Sequence, residues 1–240
     1  MELVLQNVKK SFDKKEVLKG ITYTFKPGSI YGLLGRNGAG KTTMFNCIND
    51  DITPEEGTIQ IREGDQSRDI KAEDIGYVLS TPEVPAFLTA REFLTFFTDI
   101  NFNNIKDIRS ADEYFDIVGI KPEDRDLLLK DYSHGMKTKM QMIINLIADT
   151  KILLLDEPLT SLDVVAAEEM KELLKEQKND RILIFSTHIM ELALNLCDEI
   201  LILKDGKVTK FEMTDENGEP LPPEDIRSGI INALKDEDDL

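Results

Sequence analysis

Apolar residues occur along the chain in short runs and at helical spacing, and the two patterns together predict an α/β protein. Runs at 29–34, 75–79 and 152–155 are typical of buried strands. After residue 150, strands and helices alternate, which indicates a parallel sheet flanked by helices. The predicted order there is strand 152–155, helix 164–177, strand 181–185, helix 189–196, strand 199–203, a turn at 204–207 and a last strand through 211.

The first 62 residues predict antiparallel strands around one strand–loop–helix unit. Looser strand patterns lie at 2–8, 21–25 and 57–62, and a charged turn is predicted at 9–15. Phe12 falls in that turn and is expected to be exposed. This part of the chain therefore predicts an N-terminal antiparallel β subdomain.

The middle of the chain predicts helices with no strand between them. Two apolar helix faces are expected, one formed by Glu92, Phe93, Phe96, Phe97 and Ile100, the other by Ala111, Tyr114, Phe115 and Val118. A short helix closing at 127–129 and a long helix over about 135–148 follow. We therefore expect a helical subdomain inserted at about 86–149.

The last segment, 213–240, predicts an acidic tail that is partly disordered. From Glu212 to Leu240 the chain holds ten acidic and two basic residues. A short amphipathic helix is predicted at 225–234, and 236–240 is expected to be disordered. The domain predicted before this tail spans 1–212.

A glycine-rich loop joins the first apolar run to a helix predicted at 42–49. It fits the pattern G-x-x-x-x-G-K-[ST], whose backbone N–H groups and following helix N-terminus bind phosphates. Lys41 adds a positive charge, and the Thr42 hydroxyl can ligate Mg²⁺. The alternative is a flexible turn with a solvated lysine. The candidate nucleotide-binding residues here are Gly35, Arg36, Asn37, Gly38, Ala39, Gly40, Lys41, Thr42 and Thr43.

Two carboxylates follow the apolar run at 152–155. A buried strand that ends in Asp156 places this carboxylate at the edge of the sheet where ligands of open α/β folds bind. Asp156 is therefore predicted to hold Mg²⁺, directly or through water, opposite Thr42. Glu157 points elsewhere, towards the position of an attacking water. The alternative is a strand followed by a polar helix cap.

Composition and charge limit the classes of protein to which the chain can belong. The chain has 240 residues, 41% hydrophobic and 31% charged, which is typical of a soluble globular protein. A net charge of −17 argues against binding nucleic acid or an anionic membrane surface. No apolar stretch approaches the roughly 20 residues of a membrane span, and no signal peptide is predicted, so we expect a cytoplasmic protein. Cys47 and Cys197 are predicted to be buried free thiols.

Five segments in order resemble the ATP-binding cassette (ABC) ATPase family over about residues 1–212. They are the loop at 35–42, Tyr132-Ser133-His134-Gly135-Met136, Leu155-Asp156-Glu157-Pro158, Ser161-Leu162-Asp163 and Ser186-Thr187-His188. The resemblance implies a P-loop NTPase core of mostly parallel sheet. It also implies that ATP is bound between two such domains facing head to tail, each supplying its loop to one site and its signature segment to the other.

The resemblance also implies roles for individual residues. Glu157 would polarise or deprotonate the attacking water, and His188 would contact the γ-phosphate and Glu157. Ser133, Gly135 and Asp163 would act across the dimer interface. Phe12 occupies the place where the family stacks an aromatic ring on adenine, and the alternative is an aromatic residue of a small core.

Two departures from the family pattern concern the signature and the loop after strand 75–79. The family signature is Leu-Ser-Gly-Gly-Gln, whereas Tyr132, His134 and Met136 differ here. His134 is interpreted as a surface substitution rather than a catalytic group. Ser80 stands where the family has a Gln that contacts Mg²⁺ and senses the transmembrane partner. Ser80 is therefore expected to reach the metal only through water, with altered coupling.

The predicted function is that of the ATPase subunit of an ABC transporter, with ATP and Mg²⁺ as cofactors. Its expected partners are a separate membrane-spanning subunit, to which it binds at the cytoplasmic face, and a second ATPase subunit, identical or different. The residues at 133–137 and 88–93 are similar to the corresponding segments of two-component bacterial exporters. This resemblance predicts export. The alternatives are a soluble cassette ATPase acting on DNA or ribosomes and a nucleotide-binding regulator with negligible turnover.

Overall fold

The computed structural model describes residues 1–102, 105 and 109–235, and its elements confirm the predicted α/β fold class. The strands are β1 Glu2–Phe12, β2 Lys15–Phe25, β3 Ile30–Leu34, β4 Glu56–Glu63, β5 Gln66–Asp69, β6 Ile75–Val78, β7 Ile152–Asp156, β8 Ile182–Thr187, β9 Glu199–Lys204 and β10 Lys207–Phe211. The helices are α1 Lys41–Ile48, α2 Ala90–Asn101, α3 Ala111–Ile117, α4 His134–Ala148, α5 Val164–Gln177, α6 Met190–Leu196 and α7 Pro223–Leu234.

The chain divides into two compact units. The first comprises Met1–Ala72 and the chain from Lys178 onward, and the second comprises Glu73–Gln177. The first unit contains the antiparallel sheet and most of the parallel strands. The second contains β6, β7 and the helices α2 to α5.

The antiparallel sheet of the first unit has the strand order β2-β1-β4-β5. Its strands are longer than the sequence indicated. Phe12 pairs with Lys15, so the predicted turn at 9–15 is wrong in extent and consists of Asp13 and Lys14 alone. Asp13 has φ 54°, which lets two residues reverse the chain. The polar strand β5 was not predicted because it lacks the apolar alternation that marks a half-buried strand.

The parallel strands of the first unit explain the continuous apolar runs in the sequence. β3 lies between β8 and β9 and pairs in parallel with both, while β10 pairs antiparallel with β9. Every residue of β3 and β8 is buried. A parallel strand covered on both faces contains apolar residues in succession rather than in alternation.

The two cysteines are buried free thiols, as predicted. Cys47 lies on α1, and burial raises the pKa of its thiol to about 11. Cys197 follows α6, and its Sγ would lie 2.8 Å from a Cβ added at Gly32 of β3. Glycine at position 32 therefore lets α6 approach the strand closely. Both thiols have packing roles and low nucleophilicity.

In the second unit, β6 pairs in parallel with β7, and α2 to α4 lie between them along the chain. The apolar face predicted for α2 is not the side that the helix buries. The helix buries Ala90 and Leu94, whereas Phe96 and Ile100 are 57% and 62% exposed. Because α2 has apolar residues on more than one side, periodicity alone cannot identify the inward face.

Of the helices predicted between α2 and β7, two are confirmed and one is wrong. α3 buries Tyr114 and Phe115, as predicted. The short helix expected to close at 127–129 is wrong, because Leu128 forms an antiparallel bridge with Thr89 and a 3₁₀ turn begins at Leu129. The long helix is confirmed as α4, which begins one residue earlier than predicted.

The chain after β10 forms the predicted helix, α7. Ile230 is fully buried, and Gly229 allows the helix to approach Phe211, whose ring would lie 2.7 Å from an added Cβ. The expected disorder at 236–240 falls outside the described residues. Among residues 1–102, 105 and 109–235, no helix has the length and apolar character needed to cross a membrane.

Candidate functional site

The phosphate loop begins where the buried strand β3 ends. Gly38 and Gly40 have φ 78° and 108°, which few residues with a side chain adopt. A Cβ at Gly40 would also lie 2.9 Å from a Val17 methyl carbon. Lys41 is 6% exposed, and its Nζ donates to the Gly35 carbonyl oxygen at 2.9 Å. The lysine therefore folds back over the loop.

Helix α1 starts at Lys41 and presents its N-terminus to this loop. Its inner face buries Phe45 and Ile48, as predicted. Its first turn contains no acidic residue, so the partial positive charge of the helix end is not offset there. Thr42, the second residue of the helix, is exposed. This geometry suits an anionic ligand at the loop, with a hydroxyl beside it.

The structure brings His188 to the same sheet edge as the phosphate loop. Leu34, the last residue of β3, pairs in register with Thr187, the last residue of β8. Gly35 and His188 therefore leave neighbouring strands at the same level. The Thr187 Oγ1 accepts a hydrogen bond from the Ile189 N–H at 3.0 Å, which fixes the turn around the exposed His188.

Phe12 lies at the end of β1 and is 44% exposed. The Lys10 Nζ lies 5.5 Å from the centroid of its ring. Phe12 is therefore outside the buried core of the antiparallel sheet. An exposed aromatic ring beside a cation is suited to stacking on a planar ligand.

In the second unit, Asp156 is the last residue of β7, whose five residues are all buried, and Glu157 directly follows the strand. Asp156 is 2% exposed. Glu157 has φ 51°, and its carbonyl oxygen accepts a hydrogen bond from the Thr160 Oγ1 at 2.8 Å. The other described non-glycine residues with positive φ are Asn or Asp, which tolerate this conformation better than Glu does. Such local strain is concentrated at functional sites, and the sequence did not indicate it.

The signature segment forms the start of α4. The Ser133 Oγ caps this helix by accepting from the Met136 N–H at 3.2 Å. A Cβ at Gly135 would lie 2.8 Å from the Ser161 carbonyl oxygen. The structure therefore brings Gly135 beside the segment that precedes Asp163, and only glycine fits there without displacement of backbone.

Asp163 caps the next helix, α5. Its Oδ1 accepts from the backbone N–H groups of Ala166 at 2.9 Å and Val165 at 3.0 Å. These two hydrogen bonds, that of Ala166 first, lower the pKa of the Asp163 carboxyl below its ordinary value. Asp163 thus has a local structural role in addition to the interface role implied by the resemblance. The sequence analysis did not identify this cap, although Asp before the first residue of a helix is a common capping signal.

Ser80 lies two residues after β6 and is exposed. Its carbonyl oxygen lies 3.1 Å from the Nε2 of His134. The interpretation of His134 as a plain surface substitution therefore missed a contact. Sequence reasoning could not find it, because the two residues are 54 positions apart.

Two residues have side chains that suit Mg²⁺, one in each unit. Thr42 offers a hydroxyl in the first unit, and Asp156 offers a carboxylate at the end of a buried strand in the second. Oxygen is the ligand that this ion prefers. Within the described part of the chain, no three His, Cys, Asp or Glu residues form a cluster that could hold a metal.

Comparison with known proteins identifies the family. A family model described as ABC transporter matches residues 18–160. YxlF of Bacillus subtilis, an uncharacterized ABC transporter ATP-binding protein, is 31% identical over 208 residues, which are 86% of this chain and 69% of YxlF. The carnitine transport ATP-binding protein OpuCA of Listeria monocytogenes is 30% identical, over 84% of this chain and 52% of OpuCA.

Other matches cover a smaller part of the relative or concern the fold alone. ATP-binding cassette sub-family A member 6 of Homo sapiens is 32% identical, but the chain spans only 13% of its length. A solved ATP-binding subunit of an ABC transporter superimposes with a TM-score of 0.76 at 22% identity, covering 98% of both chains. A dimeric ATP-binding cassette in a post-hydrolysis state with ADP and Pi superimposes with a TM-score of 0.74 at 23% identity, covering 89% of this chain and 99% of that one.

The family model covers more than half of the chain, and the bacterial relative is matched over most of its own length. The phosphate loop and its flanking strand lie inside the matched region. The chain belongs to the ABC transporter family and is one of its ATP-binding, ATP-hydrolysing subunits.

Proposed function

We propose that this subunit drives export through a separate membrane-spanning partner and works as a dimer of ATPase subunits at the cytoplasmic face. The observation that carries the proposal is the phosphate loop folded around the buried Lys41, with His188 leaving the neighbouring strand at the same level. This arrangement supplies a phosphate site and a polar group within one unit. It supports nucleotide binding by the residues at 35–43.

The catalytic roles in this proposal are those that the family resemblance implies. Glu157 orients or deprotonates the attacking water, and His188 contacts the γ-phosphate. Phosphoryl transfer relies on positioning and charge neutralisation more than on covalent chemistry. Glu157 is held in a strained turn after a buried strand, which supports a fixed position for its carboxylate. Thr42 and Asp156 would hold Mg²⁺, which would supply positive charge against the phosphate oxygens.

The second half of each ATP site comes from another subunit. Ser133 and Gly135 lie at the N-terminus of a helix of 15 residues, which is a favourable partner for a phosphate. Asp163 lies near them in the chain's fold, because Gly135 packs on Ser161. Phe12, exposed at the end of β1, stacks on the adenine ring.

Export and a separate partner rest on other observations. Segments 133–137 and 88–93 are similar to two-component bacterial exporters. Phe87 and Phe96 are 79% and 57% exposed, and apolar side chains of this size are typical of a docking surface for a partner helix. OpuCA, by contrast, is named for carnitine transport. The direction is tested by measuring, in vesicles containing the membrane subunit, whether cargo leaves the side that holds this chain.

The central test is Glu157→Gln. We expect the variant to bind ATP but to hydrolyse it at least about a hundredfold more slowly, because the group that orients the water is weakened. ATP should then trap a dimer that gel filtration resolves from the monomer. Glu216→Gln makes the same change of charge in the tail and should leave the hydrolysis rate unchanged. Normal hydrolysis by Glu157→Gln, with only monomer in ATP, would contradict the catalytic assignment.

A further inference from the structure

One face of α4 carries three polar side chains directed at the same neighbouring segment. His134, Gln141 and Asn145 are separated by seven and four residues, which places them on one side of a helix. Gln141 and Asn145 are 7% and 8% exposed, whereas His134 is exposed. Buried polar groups on a helix require partners, and all three side chains find them between Tyr77 and Glu83.

The two buried side chains fasten the helix to the end of β6. The Asn145 Nδ2 donates to the Tyr77 carbonyl oxygen at 3.4 Å. The Gln141 Oε1 accepts from the Leu79 N–H at 3.2 Å, and its Nε2 donates to the Glu83 carbonyl oxygen at 3.5 Å. Gly76 leaves room for this contact, since a Cβ there would collide with the Asn145 Oδ1.

His134 makes the contact nearest to the start of the helix. Its Nε2 lies 3.1 Å from the Ser80 carbonyl oxygen, which can only accept, so Nε2 carries the donated hydrogen. The link therefore joins the backbone of the loop after β6 to the first residue of α4. Ser133, the cap of the same helix, directly precedes His134.

We propose that His134 and Gln141 are positioning residues that couple the loop at 79–83 to the signature residues Ser133 and Gly135. This inference rests on the proposed function, in which Ser133 completes the ATP site of a second subunit. A displacement of the loop moves the start of α4 with it, because three side chains along one rigid helix hold the loop backbone. The coupling runs through the Ser80 carbonyl and His134 rather than through the side chain at position 80.

Because His134 is exposed, its proposed positioning role can be distinguished from a contribution to the stability of the fold. A hydrogen bond made by an exposed side chain contributes little to the free energy of unfolding. Its loss instead leaves the N-terminus of α4 less ordered, so closing the dimer must first restore that order. The effect should therefore be found in nucleotide-dependent dimerisation and not in ATP binding by the monomer.

The test compares His134→Gln with His134→Asn in the Glu157→Gln background. Glutamine places an amide nitrogen close to the position of the histidine Nε2, whereas the shorter asparagine cannot reach the Ser80 carbonyl. We expect Asn to weaken ATP-dependent dimerisation about fivefold, a size that one hydrogen bond supports, and Gln to restore most of it. The dimer dissociation constant is measured by analytical ultracentrifugation with ATP.

Lys137→Ala, one turn further along α4, is the matched control and should leave dimerisation unchanged. The monomer's affinity for ATP and its urea midpoint should be the same in all variants. Equal dimerisation by the Asn and Gln variants and by the Glu157→Gln parent would overturn the inference. If the parent itself does not dimerise with ATP, the proposed function fails instead, so the two failures are distinguishable.

Discussion

The two regions that carry the candidate ATP site are held by different forces. The phosphate loop and His188 follow strands β3 and β8, in which every side chain is buried. The signature segment begins α4, which is fastened to the loop after β6 by the side chains of His134, Gln141 and Asn145. Apolar burial thus fixes the first region, whereas the second combines apolar burial, by Met140, Met142, Ile143 and Ile147 of α4, with side-chain hydrogen bonds to a loop.

The helical part of the second unit extends the same contrast. Arg125 is 6% exposed, and its guanidinium donates to Asp112 at 2.9 Å, to Asp116 and to the Ile120 carbonyl oxygen at 3.1 Å. The neighbouring α2 buries only Ala90 and Leu94. The hydrophobic effect has no preferred direction, whereas hydrogen bonds and ion pairs depend on the geometry of their partners. This part of the second unit therefore depends more on the exact placement of polar side chains than the strands β3 and β8 do.

The largest effect on stability should come from removing a ring from the first region. Phe185 of β8 is fully buried, so Phe185→Ala should lower the free energy of unfolding by about 3–5 kcal/mol through lost burial and a cavity. Phe96→Ala on α2 removes the same ring from a side chain that is 57% exposed and should cost less than about 0.5 kcal/mol. Urea titration measures both, and equal losses would contradict the contrast.

A smaller effect is expected from removing a polar contact in the second region. Gln141→Met keeps the size of the side chain but leaves the Leu79 N–H without its acceptor, which should cost about 1–3 kcal/mol. Lys137→Met on the same helix serves as control and should change the free energy of unfolding by less than about 0.5 kcal/mol. A Gln141→Met variant as stable as the unaltered protein would show that apolar packing alone holds α4.

The smallest effect is a pH dependence at Asp163. Its folded pKa is lowered from 3.8 by the Ala166 and Val165 N–H groups, so the charged cap stabilises the protein above the ordinary pKa. That contribution is lost as the pH falls through the lowered folded value. Asp163→Asn keeps a capping oxygen without the charge. The difference in thermal midpoint between the two proteins should therefore be present at pH 6 and shrink towards pH 3; a constant difference would refute the role of the charge.

Much of the fold could be predicted because the pattern of burial is local in the sequence. The apolar runs predicted β3 and β7, and the glycine pattern at 35–42 predicted the turn between β3 and α1. The face of α2 could not be predicted, because its sequence offers apolar residues on several sides and only its neighbours select Ala90 and Leu94. Local periodicity identifies a helix but not always its inward side.

The features of the candidate site could likewise be predicted only in part. The residue types at 35–43, 156–157 and 186–188 were evident from the sequence, since a phosphate site needs glycines, a lysine and a hydroxyl at fixed spacing. The strained φ of Glu157 and the link between His134 and Ser80 were not. The first depends on how the chain turns after a buried strand, and the second joins residues that only the packing of α4 on the end of β6 brings into contact.

The sequence by itself determined the family, most of the strands and helices though not β5, and the chemistry of the phosphate loop, because these depend on residue types at short and regular spacing. The tertiary structure alone decided which helix faces are buried, where His188 leaves the sheet relative to Gly35, and what fastens the signature helix. Those features depend on contacts between distant segments, whose free energies are set by the neighbours that folding supplies.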